Sequence, residues 1–298
     1  MPKLTAVALA IAALATSTHA HPPRGIVVDS QGKVFFSDVE RIWSVDPRGR
    51  LALVRPGVGG RHIHELVIEA RDAVYGEEQS YDASRQQWPS AIWKLWPDRS
   101  VTYIVPETRA PRLGIGLWRD RQSCTYLADQ SADKRPLLFR RCPRKNAELL
   151  YGCRADPAAY RQFLLSNVAG TALGADGSFY FRHGATVRKR SPGGAITLVA
   201  AGLAAENFGI AVGPDNSLYV AEHAAGRVVR VAPDGRRNTA AASTAPWAPT
   251  EVTVRAGVLY ILEIGQRAPG DEPSFRVRKR LPNAAMQTLA TLKPRAIR

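Results

Sequence analysis

Methionine and cysteine are scarce in this chain, which holds two Met and three Cys in 298 residues. The cysteines, Cys124, Cys142 and Cys153, form no C-x-x-C pair, and this argues against a structural zinc site built on thiolates. No Gly-x-Ser-x-Gly elbow occurs, which argues against a serine hydrolase of the usual lipase type. After the first fifteen residues no stretch is long and apolar enough to span a bilayer. Acidic residues are also sparse, 26 against 41 Lys and Arg, for a formal net charge of +15.

What the N-terminus does contain is a leader pattern. Lys3 precedes an apolar run from Leu4 to Ala15, and Thr18-His19-Ala20 puts small residues at the two positions a signal peptidase reads. Pro22-Pro23 would stop a buried N-terminal helix at the same point. Residues 1–20 are therefore read as a signal peptide and 21–298 as one mature domain, exported to the periplasm or the medium. An oxidising compartment favours one bridge and one spare thiol among the three cysteines. Removing Lys3 lowers +15 by one, to +14, a surface that attracts polyanions. Its arginines are scattered rather than set in a block with aromatics between, which argues against nucleic acid and leaves a small molecule or an anionic envelope or polysaccharide ligand. The protein is expected to be a monomer.

GIAVGPDNSLYVAEHAAGRVVRVAPDG, Gly209 to Gly235, repeats in blurred form GTALGADGSFYFRHGATVRKRSPGG, Gly170 to Gly194. The shared grammar is an apolar strand, an Asp-Gly or Asp-Asn turn, an aromatic-rich strand, a polar loop, a third strand and a Pro-Asp-Gly or Pro-Gly-Gly turn. Further copies begin at Gly25, Glu65, Gly114 and Glu251. Units of this length, each worth about four short antiparallel strands, build a propeller, because a lone sheet with two apolar faces needs neighbours on both sides. The turns at Gln31-Gly32, Asp176-Gly177, Asp215-Asn216 and Ala256-Gly257 hold residues that tolerate positive φ. The expected fold is all-β, a six-bladed β-propeller of four antiparallel strands per blade. Asp156 and Pro157 start a short helical insert after blade three. A long middle loop runs from Gly76 to Ser90 in blade two, and Gly57 to Gly60 reads as a linker between blades. Val187-Arg188-Lys189-Arg190 and Val277-Arg278-Lys279-Arg280 read as exposed basic ribs.

With the first strand nearest the axis, strand-one starts and the loops between strands two and three share one face, where ligands bind. His62, His64, Glu65, Asn167, Asn207 and Glu251 stand at first-strand starts. Asp38, Glu77, Asp129, Glu222 and Glu263 form an acidic column at second-strand ends, broken by Arg182-His183 and extended by His223. The column suits carboxylates that accept hydrogen bonds from neighbouring loops, or else a substrate-binding ring. His62-x-His64 faces one way on a strand and suggests zinc, with a third ligand from His183, His223 or Glu78; the same pattern also suits hydrogen-bonded histidines. Cys124 and Cys142 fall opposite one another in a hairpin, so a Cys124–Cys142 bridge leads and Cys142–Cys153 is the alternative.

The blade grammar resembles the NHL-repeat proteins and the gluconolactonase and senescence-marker superfamily of six-bladed propellers, which includes hydrolases, lyases and binding modules. The resemblance implies a divalent cation over the channel, calcium before zinc, held by Glu65, Asn167, Asn207 and Glu251, with His64 as general base. The Asn residues stand off the family position, since Asn207 is two and Asn167 three residues ahead of the strand glycine. The leading expectation is therefore a ligand- or partner-binding module using the loop-rich face, with His62, Glu77, Glu78, His183, Glu222, His223 and Glu263 as further ligand contacts. The alternative is a metal-dependent lactonase-type hydrolase, or a lyase. The intact mass of exported protein is expected to match a chain that begins at His21; a mass retaining residues 1–20 would remove the export reading.

Overall fold

Short runs of Val, Ile, Phe and Tyr punctuated by tight-turn residues favour the antiparallel meander, in which each strand pairs with the next. A computed structural model shows this. It describes residues 25–69, 71–80, 82–84, 89–108, 118–119, 125–130, 136–142, 144–145, 148–151, 168–183, 185–204, 207–265 and 271–293.

The first sheet holds β1 (Ile26–Val28), β2 (Val34–Ser37), β3 (Ile42–Val45) and β4 (Leu51–Arg55). The second holds β5 (Arg61–Ile68), β6 (Val74–Ser80), β7 (Ser90–Leu95) and β8 (Val101–Thr108). In the third are β9 (Trp118–Arg119), β10 (Thr125–Gln130), β11 (Pro136–Arg141) and β12 (Glu148–Tyr151). The fourth has β13 (Val168–Leu173), β14 (Phe179–His183), β15 (Thr186–Arg190) and β16 (Ile196–Ala200). The fifth has β17 (Asn207–Val212), β18 (Leu218–Glu222), β19 (Arg227–Val231) and β20 (Arg237–Ala242). The sixth has β21 (Trp247–Arg255), β22 (Val258–Gly265), β23 (Ser274–Arg280) and β24 (Met286–Leu292). Every sheet is four-stranded, with its strands hydrogen-bonded in chain order. The protein is an all-β propeller of antiparallel blades.

Apolar side chains fill the gaps between neighbouring blades. Val187, Ala200, Leu218 and Val231 join the fourth and fifth sheets. Ala221, Val228, Leu259 and Ile261 join the fifth and sixth, and Ile42, Ile63, Leu66 and Trp93 join the first and second. The last sheet meets the first through Leu262, Phe275 and Val277 against Ile26, Val28, Val34 and Phe36. Among the described residues no strand is exchanged across this seam, because β21–β24 and β1–β4 each complete their own sheet. The third sheet meets the second where β9 approaches β5.

Two irregularities recur from blade to blade. In each sheet the third and fourth strands slip by one residue, which leaves Val54, Ile104, Leu150, Val199, Ala240 and Leu289 as the extra residue on the outermost strand. Such a bulge strengthens the local twist. The innermost strands slip as well, at His64 in β5, Gly170 in β13, Phe208-Gly209 in β17 and Thr250 in β21. Glycine at the inner-strand starts has a packing reason. A Cβ on Gly25 would lie 2.7 Å from Leu66 Cγ, and one on Gly209 would lie 1.6 Å from Glu251 Oε1.

The turn chemistry matches the sequence pattern. Gly32, Gly177, Asn216, Ala256 and Gly257 all have positive φ. Several details correct the sequence reading. The segment from Gly76 is not loop throughout, because Gly76–Ser80 continues β6, paired residue by residue with both β5 and β7. The basic ribs are half-buried and ion-paired: Lys189 meets Asp176, on an exposed turn, at 3.1 Å, and Arg278 meets the buried Glu263 at 3.0 Å. The expected helical insert at Asp156-Pro157, the leader segment, Cys124 and Cys153 lie outside the described residues; Cys142 follows β11.

Where the third turn of a blade lacks glycine, the backbone still needs the left-handed region. Ala284 sits there at φ +71 on an exposed turn, and Gly235 occupies the matching turn at φ +85 with nothing near its missing Cβ. Ala284→Gly is expected to raise stability by about 1 kcal/mol, and Gly235→Ala to lower it by about as much, read from urea midpoints at unchanged slope.

Candidate functional site

The innermost strands β1, β5, β13, β17 and β21 wall a cavity of about 140 Å3 on the propeller axis. Most of the residues along it are apolar, Ile26, Leu66, Ala172, Ile210 and Val252 among them, but polar and apolar atoms face the cavity in equal measure. Against that wall stand two carboxylates, Glu65 from β5 and Glu251 from β21, both buried. They occupy corresponding places, each directly after its inner-strand bulge. The bulge turns the residue that follows it, so it decides which side chain reaches the axis. Glu251 Oε1 accepts the Val252 N–H at 3.2 Å, and its carboxylate lies over the bare Cα of Gly209.

The second sheet adds a feature that strand spacing alone did not reveal. Glu65 is registered directly opposite Glu77, and both are buried. Opposed residues on antiparallel strands share a face with Cβ atoms about 5 Å apart, so the pair forms a compact acidic patch. In the sixth sheet the residue opposite Glu251 is Leu262, so the patch belongs to one blade. His64, the bulge residue beside Glu65, is buried as well.

The remaining acids of the column do different work. Asp38 accepts from Arg41 Nε at 2.8 Å, Trp43 Nε1 at 2.7 Å and the Arg41 N–H at 2.8 Å. Glu222 accepts from Arg227 Nε at 2.7 Å and from the Ala204 N–H, which belongs to the preceding blade, at 3.0 Å. Glu263 takes Arg276 Nε at 2.6 Å, Arg278 at 3.0 Å and the Ser243 hydroxyl, again from the preceding blade, at 2.5 Å. In the second sheet this position belongs to Glu78 rather than Glu77, since Ile63↔Glu78 matches Pro249↔Glu263 and Asn207↔Glu222. Glu78 accepts from Arg55 of the preceding blade, from Arg61 at 2.7 Å and from the Tyr103 hydroxyl at 2.8 Å. Glu78, Glu222 and Glu263 are thus staples between neighbouring blades, whereas Asp38 ties down the β2–β3 loop of its own blade.

The histidines are dispersed. His62 and His64 have ring centroids 6.5 Å apart, and His223 Nδ1 lies 3.2 Å from the Pro249 carbonyl oxygen. His183 ends β14 opposite Thr186, and Asn207 opens β17 opposite Glu222; their side chains, like Asn167 as a whole and the side chain of Asp129, lie outside the described residues. Among the described residues no three His, Cys, Asp or Glu are grouped to hold a metal ion. The zinc arrangement expected from His62 and His64 therefore finds no third donor among them in His223 or Glu78, the latter being held by its arginines. For the cation implied by the family resemblance, the described donors are two carboxylates, from the two blades that flank the first, short of the six to eight oxygens calcium takes. The described residues do not make up the expected cation site.

Burial pushes the Glu78 carboxyl up, but hydrogen bonds from Tyr103, Arg55 and Arg61 and the positive charge of Arg55 outweigh it and hold the group below the usual carboxylate range. A group held low stabilises the fold above its ordinary value, near pH 4.3, and loses that contribution as the pH falls through its folded value.

No known protein-family pattern matches the sequence, and no curated protein does. Solved structures do share its fold. A streptogramin B lyase superposes with a TM-score of 0.56 at 14% identity over 92% of this chain and 84% of its own. A gluconolactonase from Xanthomonas campestris gives 0.55 at 12% identity over 80% and 81%. A luciferin-regenerating enzyme gives 0.57 at 12% identity over 86% and 90%. At these identities the likeness is one of fold.

Glu78→Gln is expected to lower stability at neutral pH by about 3 kcal/mol, since it leaves Arg55 buried without a full counter-charge, and to flatten the loss of stability below about pH 5. Denaturant unfolding across that range checks both; an acid slope as steep as the parent's would remove Glu78 as its source.

Proposed function

We propose that the protein is an exported binding module that takes a small ligand at the mouth of its axial cavity. The observation that carries this reading is the division among its buried acids. Glu78, Glu222 and Glu263 tie neighbouring blades together and Asp38 ties the β2–β3 loop of its own blade, while Glu65 and Glu251 are placed in the lining of the cavity and Glu77 stands opposite Glu65. A concave apolar wall with a few convergent polar groups is the usual composition of a small-molecule site. Carboxylates accept hydrogen bonds, so the ligand presents donors, as hydroxyls or an ammonium do, even though the chain as a whole is strongly basic. The basic outer surface serves to hold the protein near anionic envelope material. Export rests on the leader pattern of residues 1–20; among the described residues no helix is long and apolar enough to cross a membrane.

In this reading six blades close the ring, and a Cys124–Cys142 bridge pins the third. The register Thr125↔Arg141, at residues next in sequence to these cysteines, supports that pairing. The second reading, a metal-dependent hydrolase or lyase, draws support from the lactonase and lyase that share the fold. It needs Asn207 or Asn167 to complete a donor set that Glu65 and Glu251 only begin.

A thermal-shift screen of neutral polyols and small amines is expected to give ligands that raise the melting temperature of the parent, an effect lost in Glu65→Gln and Glu251→Gln. Metal analysis accompanies it. A stoichiometric divalent cation that disappears in Glu65→Gln together with lactone or ester turnover would replace the binding module by the hydrolase.

A further inference from the structure

We propose that a cavity at the seam between the first and sixth sheets is a second ligand site, fitted to a single neutral, hydroxyl-bearing sugar ring. The cavity measures about 230 Å3 and shares no lining residue with the axial one. Trp43, Phe275 and Leu292 give it an apolar wall continuous with the seam core. Around that wall stand basic groups, Arg41, His62 and Lys293, and acidic ones, Glu40 and Glu272.

The balance of these charges selects the ligand class. Arg41 is neutralised by Asp38, with Nε to Oδ2 at 2.8 Å. An anion entering the cavity would meet Glu40 and Glu272, and a cation would meet Lys293. A sugar ring meets neither objection, because its hydroxyls both donate to carboxylates and accept from Lys or His, while its C–H face packs on an aromatic wall. Drug-sized ligands fill roughly 300–1,000 Å3, so the smaller volume limits the occupant to about one ring.

The backbone supplies an independent observation. Val39, buried and lining the same cavity, has φ +88, a region that β-branched residues avoid. It is held there from two sides: its N–H donates to Ser37 Oγ at 3.0 Å, and its carbonyl accepts the Ile63 N–H at 2.5 Å. Backbone strain persists only where surrounding structure over-determines it, and it concentrates at ligand clamps. Glycine would make the turn without strain but would leave the cavity wall without a side chain.

Saturation-transfer NMR and titration calorimetry on the mature protein, with a panel of methyl glycosides and with inorganic phosphate and methylammonium as charged comparators, test the site. At least one methyl glycoside is expected to bind one site with a Kd in the millimolar range, and Glu40→Gln combined with Glu272→Gln to weaken it by about tenfold while leaving the melting curve intact. Val39→Gly is expected to raise the melting temperature and to weaken the same glycoside. The proposal falls if no glycoside binds, if phosphate or methylammonium binds in preference to all of them, or if the double Gln variant keeps parental affinity. It falls also if Val39→Gly gains stability with binding unchanged.

Discussion

The structure depends on one constraint: a four-stranded sheet whose two faces are both apolar has no stable existence alone. Apolar side chains of the first, second, fourth, fifth and sixth blades are hidden against neighbouring blades, and burial of apolar area at about 25 cal/mol per Å2 is the force that draws such sheets together. The seam between the last and first sheets shows this force acting without help. Leu262, Phe275 and Val277 meet Ile26, Val28 and Phe36 with no strand shared between the two sheets. Side-chain packing, not backbone pairing, seals the propeller there.

Packing of this kind is non-directional, and direction comes from the polar groups. Glu78, Glu222 and Glu263 each reach back to the end of the preceding blade, to Arg55, the Ala204 N–H and the Ser243 hydroxyl, while also holding an arginine close by. A buried carboxylate without such partners would be costly, so each staple fixes the angle between two blades as well as joining them. The same chemical group, moved by one inner-strand bulge, becomes a cavity residue at Glu65 and Glu251.

Much of the architecture was legible in the sequence because the turn residues are local. Asn216 and the Gly residues at 32, 177 and 257 announce positive φ without reference to anything distant. The acidic column was legible as a repeat, and its role as a set of hydrogen-bond acceptors followed from its position at strand ends. Its register in the second blade was not. Glu77 and Glu78 are adjacent acids, and only the extra residue at His64 decides which faces the arginines. The pairing of Glu65 with Glu77, the clearance that Gly209 gives Glu251, and the seam cavity all involve residues far apart in the chain, where local patterns carry no information. The reading of Gly76 to Ser90 as one long loop failed because β6 places charged residues, Glu77 and Glu78, where a strand usually places apolar ones.

The seam has a topological meaning as well. Since among the described residues no hydrogen-bonded ladder crosses it, the gap between last and first blades is of the same kind as the gap at the 56–60 linker, which joins two complete sheets. The order in which the chain visits its blades is thus a matter of covalent history rather than of energetics. A circularly permuted chain, opened at that linker and joined across the seam, keeps every ladder and every apolar interface of the parent.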